Sequence, residues 1–592
     1  MAADGTLGVA EDLRERAAAA LRRGDAEAAL AAYAALLEQA PTDFEALSNA
    51  AALHGQAGRL DAAAPLLARA AALRPHNAVV QANLAKLALE RQDWATAERA
   101  ARRATLVAPD LANGHNNLAV ALKNLGYWDE AAAAVEAGLR RAPGDSGLLM
   151  LAGELAQRIG DIPAALAAFA MAEPAPVNGS ALVAAGNYAG IPPAIGFAAH
   201  RAWAQRIEGA AAQLPAPPPP AEGRLRVGYV SPDFRDHSVA FFIEPVLAAH
   251  DRGAFELHAF SAVRRPDAVT GRLRALVGRW HEAAALSDLE LARLVRAERI
   301  DILVDLAGHT VGNRLGAFAL RAAPVQASWI GYPATTGLAA MDFRLTDAVA
   351  DPEGAEAWHS ERLVRLPQGF LCYRPPEDAP AVATAPPPRG GERPFAFGSF
   401  NALAKLGPAA IAAWGAILRR VPGAQLRLKA ADLGGRRAQR RLIEAFALEG
   451  IAESRLKLLP QHRSRRDHLT TYAAVDLALD SFPYNGTTTT CEALWMGTPV
   501  LTLRGTAHAG RVGASLLGRL GLDELVADDV GAYCDRAVAL AAAPQRLKDW
   551  RAGLRARMTA SPLCRPELFV PALEAAYREM AAMRRRQILA AA

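Results

Sequence analysis

The sequence predicts an all-α helical array followed by two α/β units in tandem. Three observations carry this reading. Prolines at 41, 75, 109 and 143 recur with a period of 34 residues, short apolar runs alternate with amphipathic stretches from residue 226 onward, and Pro-rich segments at 211–223 and 372–390 interrupt the chain. At 592 residues the chain is too long for one core, and such a length divides into about three or four domains.

Within the array, Gly24, Gly58, Gly126 and Gly160 keep the same period at the turn inside each unit, with Gln92 in the remaining slot. Small residues recur at Ala17, Ala51, Ala85, Ala119 and Gly153, and again at Ala29, Ala63, Ala97, Ala131 and Ala165. Helices cross closely only where side chains are small, so both sets mark the contact between paired helices. Each proline is expected to open the next helix, where its missing N–H costs nothing. This is the tetratricopeptide spacing. Each hairpin leaves an apolar face for its neighbour to cover, so five units should stack into a superhelical segment whose concave surface holds protein or peptide partners. Asn116, Asn117 and Asn124 offer amides to an extended peptide backbone, or equally act as solvated or capping residues. Trp94 and Trp128, at helix starts, read as packing residues. Beyond residue 150 the chain stays helical without the strict period, and AAQLPAPPPPAEG (211–223) reads as a stiff, extended connector.

Composition narrows the function classes. Apolar residues make up 52% and charged residues 21%, with a net charge of +5 and both signs interspersed. No Lys/Arg run is dense enough for a nucleic-acid footprint. The opening MAADGTLGVAEDLRER has no basic segment leading into an apolar core, and no apolar stretch reaches membrane-spanning length. Cys372, Cys491, Cys534 and Cys564 are widely spaced and make neither a metal pattern nor a disulfide grid. His54, His76, His115, His250 and His258 have no spacing that argues for metal. A reducing cytoplasm is the expected location, with neither membrane nor nucleic acid as partner.

In the α/β part, strands are expected at 226–231, 256–260, 301–306, 325–333 and 342–347, and after the second Pro-rich break at 395–401, 424–430, 455–460, 475–481 and 499–505. Apolar strands spaced by helices argue for parallel sheets covered on both faces, with ligands at the carboxyl ends of the strands. Polar residues gather there. Strand 226–231 runs into SPDFRDH ending at His237, strand 301–306 into Gly308-His309-Thr310, strand 395–401 toward Lys405, and strand 475–481 into Asn485-Gly486 and four threonines, 487–490, followed by Glu492. A Gly turn and hydroxyl row opening a helix suit a phosphate, with Lys405 as counter-charge and Glu492 within reach of a sugar hydroxyl. The threonines also read as a helix cap, Lys405 as a surface lysine, and each histidine as a loop-ordering residue. GxGxxG, GxxxxGK[ST] and Gly-x-Ser-x-Gly signatures are missing, which weakens the dinucleotide, P-loop and Ser-nucleophile readings.

The segments RVGYVSPDFRDHSV, DLAGHT, APVQASWIGYPATTG, FGSFNALAKLGP and DSFPYNGTTTTCEALWMGTPVLTLRG resemble the O-linked N-acetylglucosamine transferase and SPINDLY family, over 14–175 and 222–560 in the right order. The resemblance implies an all-α tetratricopeptide superhelix followed by a two-domain α/β glycosyltransferase of the GT-B type. The expected domains are the repeat array at 8–178, a helical extension and Pro-rich connector at 179–221, an acceptor-side α/β domain at 222–380, and a nucleotide-sugar-side α/β domain with a C-terminal helix at 391–592. It also implies inverting, metal-independent transfer of a sugar from a nucleotide donor, with UDP-GlcNAc favoured, to Ser or Thr of a protein, and no cofactor. Lys405 is similar to the family lysine that meets the diphosphate, and Thr488 and Thr489 to the paired threonines beside it. His468 resembles the histidine that packs on the base, and His237 the histidine discussed as base or organiser on the acceptor side, with His309 the second candidate. Three positions depart from the pattern: Glu492 where Asp is usual, Ala402 where Gln or Asn is usual, and Thr487 where His is frequent. They leave fucose from GDP-fucose as an alternative donor and a catalytically silent adaptor as an alternative role. The repeats also offer a surface for a homodimer.

Overall fold

The structure, a computed structural model, describes residues 2–172, 176–210, 214–383, 394–462 and 464–591. Parts of both Pro-rich segments, 211–213 and 384–390, lie outside the described residues. The chain divides into two compact units, Met1–Ala156 with Ala167–Ala172, and Gln157–Leu166 with Glu173–Ala592.

The first unit is a stack of antiparallel helix pairs, among them Phe44–Gln56 with Leu60–Leu73, Ala78–Glu90 with Trp94–Val107, and Ala112–Leu125 with Trp128–Leu139. The small residues sit where close crossing demands them: Ala17, Ala85, Ala97, Ala119 and Ala131 expose no surface. The turn inside each pair needs a left-handed residue. Gly24, Gly58, Gly126 and Gly160 have φ of 75°, 71°, 85° and 83°, and Gln92 takes the same conformation at 62°.

The prolines act differently from the expectation. Pro41 follows the end of helix Ala26–Gln39, and the next helix begins at Phe44, behind Asp43. A proline drives its predecessor out of the helical region, and Ala40, Arg74 and Ala108 have φ of −126°, −128° and −131°. The prolines therefore stop the preceding helix. The start of the next is marked by a side chain: Oδ1 of Asp43, Asn77 and Asp145 accepts from the N–H of Ala46, Val80 and Leu148. The asparagines also have internal uses. Buried Asn117 donates to Ala82 O at 3.0 Å, and Asn124 donates to Val120 O of its own helix at 2.8 Å.

The second unit holds two all-parallel sheets. The first has seven strands: β1 (Leu225–Ser231), β2 (Phe255–Ser261), β3 (Arg279–Glu282), β4 (Ile302–Asp305), β5 (Val325–Ser328), β6 (Phe343–Thr346) and β7 (Arg362–Arg365), in the order β3-β2-β1-β4-β5-β6-β7. The second has six: β8 (Ala396–Ser399), β9 (Gln425–Lys429), β10 (Leu456–Leu459), β11 (Leu477–Leu479), β12 (Val500–Leu503) and β13 (Val526–Ala527), in the order β10-β9-β8-β11-β12-β13. Central strands such as β4, β6, β8 and β12 are buried at every residue, as sheets covered on both faces require. In both sheets the strand order reverses beside the first strand, at β1/β4 and β8/β11, which places a crevice at the carboxyl ends there.

Three strands, β3, β7 and β13, have no counterpart in the sequence reading, and all three are sheet edges. β3 reads Arg-Trp-His-Glu with its ends exposed and β7 reads Arg-Leu-Val-Arg, so neither offers an apolar run, as suits an edge, and β13 is only two residues, Val526–Ala527.

Helix Pro566–Ala591 follows the second sheet in the chain but packs against the first. Phe569, Val570, Leu573, Tyr577 and Met580 share a core with Val227, Phe255 and Ile302. Tyr577 and Tyr229 share a hydroxyl–hydroxyl bond of 3.1 Å, and Glu574 accepts from His250 Nδ1 at 2.9 Å and Asp251 N at 2.8 Å. The expected grouping of this helix with the nucleotide-side domain follows chain order, whereas its apolar face is covered by the other sheet.

Candidate functional site

The carboxyl ends of β8 and β11 build a polar cluster around one buried carboxylate. Asp480, directly after β11, accepts from Asn401 Nδ2 at 3.2 Å and Gly486 N at 2.6 Å through Oδ1, and from Thr502 Oγ1 at 2.7 Å through Oδ2. Gly486 is needed there because a Cβ would stand 2.6–2.8 Å from Thr489 Oγ1, Asn401 Oδ1 and Thr490 Oγ1. Lys405, at the end of the short 3₁₀ turn Leu403–Lys405, donates to Asn485 O at 2.7 Å, with its ammonium 4.0 Å from the Tyr484 ring centroid. Burial pushes the Lys405 pKa down, opposed by the charge of Asp480. Burial likewise raises that of Asp480, against its hydrogen bonds and the lysine.

Helix Thr488–Trp495 starts beside this lysine. Thr487 stands at its N-cap without a side-chain capping bond, and Thr489 Oγ1 instead donates to Asn401 Oδ1, tying the helix to the β8 loop. The first-turn N–H groups of a helix have no intrahelical acceptor and carry its positive dipole end. Lys405 and this helix start come together at one strand-end cluster, as their positions in the sequence suggested.

Next to the cluster opens a cavity of about 490 Å³ lined by Tyr188, Ser238, Phe400, Ala402, Lys429 and His468 among others, within the usual range for small-molecule sites. Its polar wall is a chain of charge-defined hydrogen bonds. Lys429 Nζ donates to His468 Nδ1, His468 Nε2 donates to Glu492 Oε2 at 3.0 Å, and Arg465 donates to Glu492 Oε1 at 3.2 Å. An ammonium only donates and a carboxylate only accepts, so Nδ1 of His468 is the acceptor side of the ring and Nε2 the donor side. Burial lowers Lys429 to about 8, with Glu492 pulling the other way. Both Glu492 oxygens are engaged by protein groups here. Ala402 leaves the cavity wall without the amide expected at its position.

The two histidines of the first α/β domain have different surroundings. His237 follows β1, and its side chain keeps 38% exposure; Nδ1 accepts from Val239 N at 3.3 Å and lies 3.7 Å from Asp233 Oδ1. Burial lowers its pKa, opposed first by Asp233. Its neighbour Ser238 lines the cavity. His309 is 3% exposed. Its Nε2 donates to Thr336 O at 2.9 Å, its Nδ1 accepts from Ser180 Oγ at 3.0 Å, and Trp203, His200 and Tyr332 surround the ring. Sequence reasoning passed over Asp480, Asn401, Lys429 and Arg465. Asn401 ends a predicted strand and Asp480 and Lys429 each stand one residue before the end of another, which was the available signal.

The glycosyl transferase family 41 model matches residues 207–373 and 391–573. The chain belongs to glycosyl transferase family 41. A tetratricopeptide repeat model also matches residues 56–120. Among curated relatives, the probable UDP-N-acetylglucosamine–peptide N-acetylglucosaminyltransferase SPINDLY of Oryza sativa subsp. japonica is 42% identical over 390 residues, covering 65% of this chain and 42% of that protein. The protein of the same name in Arabidopsis thaliana is 41% identical over 394 residues, with 65% and 42% covered. The chain thus spans less than half the length of these curated relatives. A solved mutant of the Thermobaculum terrenum O-GlcNAc transferase matches 98% of this chain and 99% of its own, at 34% identity and a TM-score of 0.66. The repeat array followed by two parallel sheets is therefore the tetratricopeptide plus GT-B architecture. Among the described residues, no helix is long and apolar enough to cross a membrane.

Proposed function

We propose that this family 41 chain transfers N-acetylglucosamine from UDP-GlcNAc to Ser or Thr hydroxyls of proteins, with inversion and without a metal in the transfer step. The observation that carries this reading is Lys405 beside the open start of helix Thr488–Trp495, next to the 490 Å³ cavity. The names carried by the relatives support the donor and the acceptor class. In the reaction the acceptor oxygen bonds to the anomeric carbon as the bond to the diphosphate breaks, and the diphosphate leaves with the electron pair. Negative charge grows on the leaving oxygen, where Lys405, the helix N–H groups and the Thr488 hydroxyl supply stabilisation, while Thr489 holds the helix start to Asn401.

The acceptor proton goes to His237. For that role the ring gives up the bond that Nδ1 accepts from Val239 N and turns an Nδ1 proton to Asp233 Oδ1, 3.7 Å away, which frees the Nε2 lone pair for the hydroxyl. His309, whose two ring nitrogens are both bonded, is a positioning residue in this reading. Lys429 and His468 face the nucleoside, and Glu492 acts by orienting His468. The repeat groove takes the protein acceptor.

Purified protein is to be incubated with UDP-GlcNAc or GDP-fucose and a cell lysate, with mass shifts read on proteins. UDP and GDP are titrated in parallel. UDP binding with N-acetylhexosamine shifts is expected; GDP preference with deoxyhexose shifts replaces the donor. Binding of neither nucleotide would leave a silent adaptor. His237→Ala should lower turnover at saturating acceptor far more than UDP affinity, and wild-type turnover in that variant removes His237 as the base.

A further inference from the structure

We propose that His258, His281 and Glu298 form a zinc-binding site at the β2–β3 edge of the first sheet. The three residues lie 17 or more positions apart in sequence, and only the strand pairing unites them. The parallel register sets His281 opposite Phe260 and His258 opposite Arg279, and Glu298 caps the end of helix Asp288–Ala297. One donor atom from each lies within 4.8 Å of the others. His258 Nδ1 is 3.3 Å from His281 Nε2 and 3.9 Å from Glu298 Oε2.

Two features argue for a metal in place of a simple polar cluster. Glu256 Oε1 lies 3.3 Å from His258 Nε2 and can only accept, so Nε2 holds the proton and the Nδ1 lone pair faces the other two donors. A carboxylate behind the far nitrogen is the usual support of a metal-binding imidazole. In addition, donors about 2.0–2.1 Å from a tetrahedral zinc stand roughly 3.3 Å from each other, the separation the two nitrogens already have. The His258 ring is 1% exposed and parallel to that of His281, with an interplanar angle of 9°, so its direction is fixed. The Glu298 side chain, 24% exposed at a helix end, is free to close the remaining distance. Arg279 stands 3.7 Å from Glu256 and 3.9 Å from Glu298, beyond hydrogen-bond length, a loose counter-charge that a divalent ion replaces. Two imidazoles and one carboxylate suit zinc; calcium and magnesium take oxygen donors. The ion would pin the polar edge strand β3 to β2 and to the following helix, leaving its fourth position to water, and would take no part in sugar transfer.

The test uses the full-length protein, stripped with a chelator and titrated with ZnCl₂ against a competing fluorescent zinc indicator. Wild type should take up one equivalent and melt at a higher temperature with zinc. His281→Ala and Glu298→Gln should each bind zinc at least about 10-fold more weakly and lose the shift in melting temperature. Both positions are partly exposed, and circular dichroism checks that each variant keeps the native fold; Glu298→Gln, which preserves shape, decides alone if His281→Ala unfolds. Failure of wild type to take up a stoichiometric equivalent, or equal affinity in wild type and Glu298→Gln, overturns the site.

Discussion

Lys405 is held between opposing influences: burial disfavours its charge, while Asp480 and Asn485 O favour it. A diphosphate arriving beside it would tip the balance toward the ammonium. Lys405→Ala should therefore reduce turnover at least about 100-fold, near 3 kcal/mol, with a smaller loss of nucleoside diphosphate affinity. Lys405→Arg should recover little, because a planar fork does not fit the point-charge position over Tyr484. Undiminished turnover in Lys405→Ala would remove the lysine from the pocket. Lys429 gives a pH signature. Its pKa is lowered to about 8 in the free protein, so it is charged below that pH and neutral above it. An anion binds the charged form better, so affinity for the nucleoside diphosphate should fall as pH rises from 7 to 9. Calorimetric titration at both pH values checks this, and an affinity that does not change would dissociate Lys429 from nucleotide binding. Lys405 and the threonines were legible because each follows a predicted strand end. Asp480 was not singled out, since an aspartate after an apolar strand looks like any turn residue until Gly486, Asn401 and Thr502 converge on it. The His258–His281–Glu298 group was invisible because β3 itself was not foreseen.

Gln92 shows at the scale of one hairpin how a local rule and its exception both leave a trace. Four of the five turns use glycine for a φ near 71–85°, and the fifth uses glutamine at 62°. A side chain in that conformation is strained, and Gln92 has interactions of its own that offset part of the cost. Gln92→Gly should stabilise the array by about 0.5–1 kcal/mol, the relief of left-handed strain exceeding the entropy lost by glycine on folding. Denaturant unfolding of the full chain, followed by far-ultraviolet dichroism, measures it; a destabilised variant would mean that the Gln92 contacts outweigh the strain. The repeat period was readable because it is written in backbone-restricting residues. The role of its prolines was misjudged because the same period marks a stop as well as a start, and only the side chains of Asp43, Asn77 and Asp145 distinguish them. Sheet centres were readable as apolar runs, whereas β3 and β7 were not, because an edge strand avoids such runs, and β13 was not because two residues make no pattern.

Across the whole molecule, the chain does not complete its cores in the order of its sequence. The core of the first sheet includes Phe569, Leu573 and Tyr577, from a helix that follows all six strands of the second. Tyr577 is fully buried and bonded to Tyr229, so Tyr577→Ala should cost about 3–5 kcal/mol through the cavity left behind, while Tyr229 keeps its bond to His250 Nε2. Near-ultraviolet dichroism during urea unfolding reports it, and a shift below about 1 kcal/mol would show that the helix docks without contributing to that core. This packing has a consequence for synthesis on the ribosome. When β7 ends at Arg365, the first sheet still lacks the helix beginning at Pro566. At about 5–20 residues per second, its apolar face waits on the order of 10–40 s while the second sheet is translated. During that interval the nascent chain carries an uncovered strand surface, the kind of transiently exposed apolar face on which a growing chain aggregates.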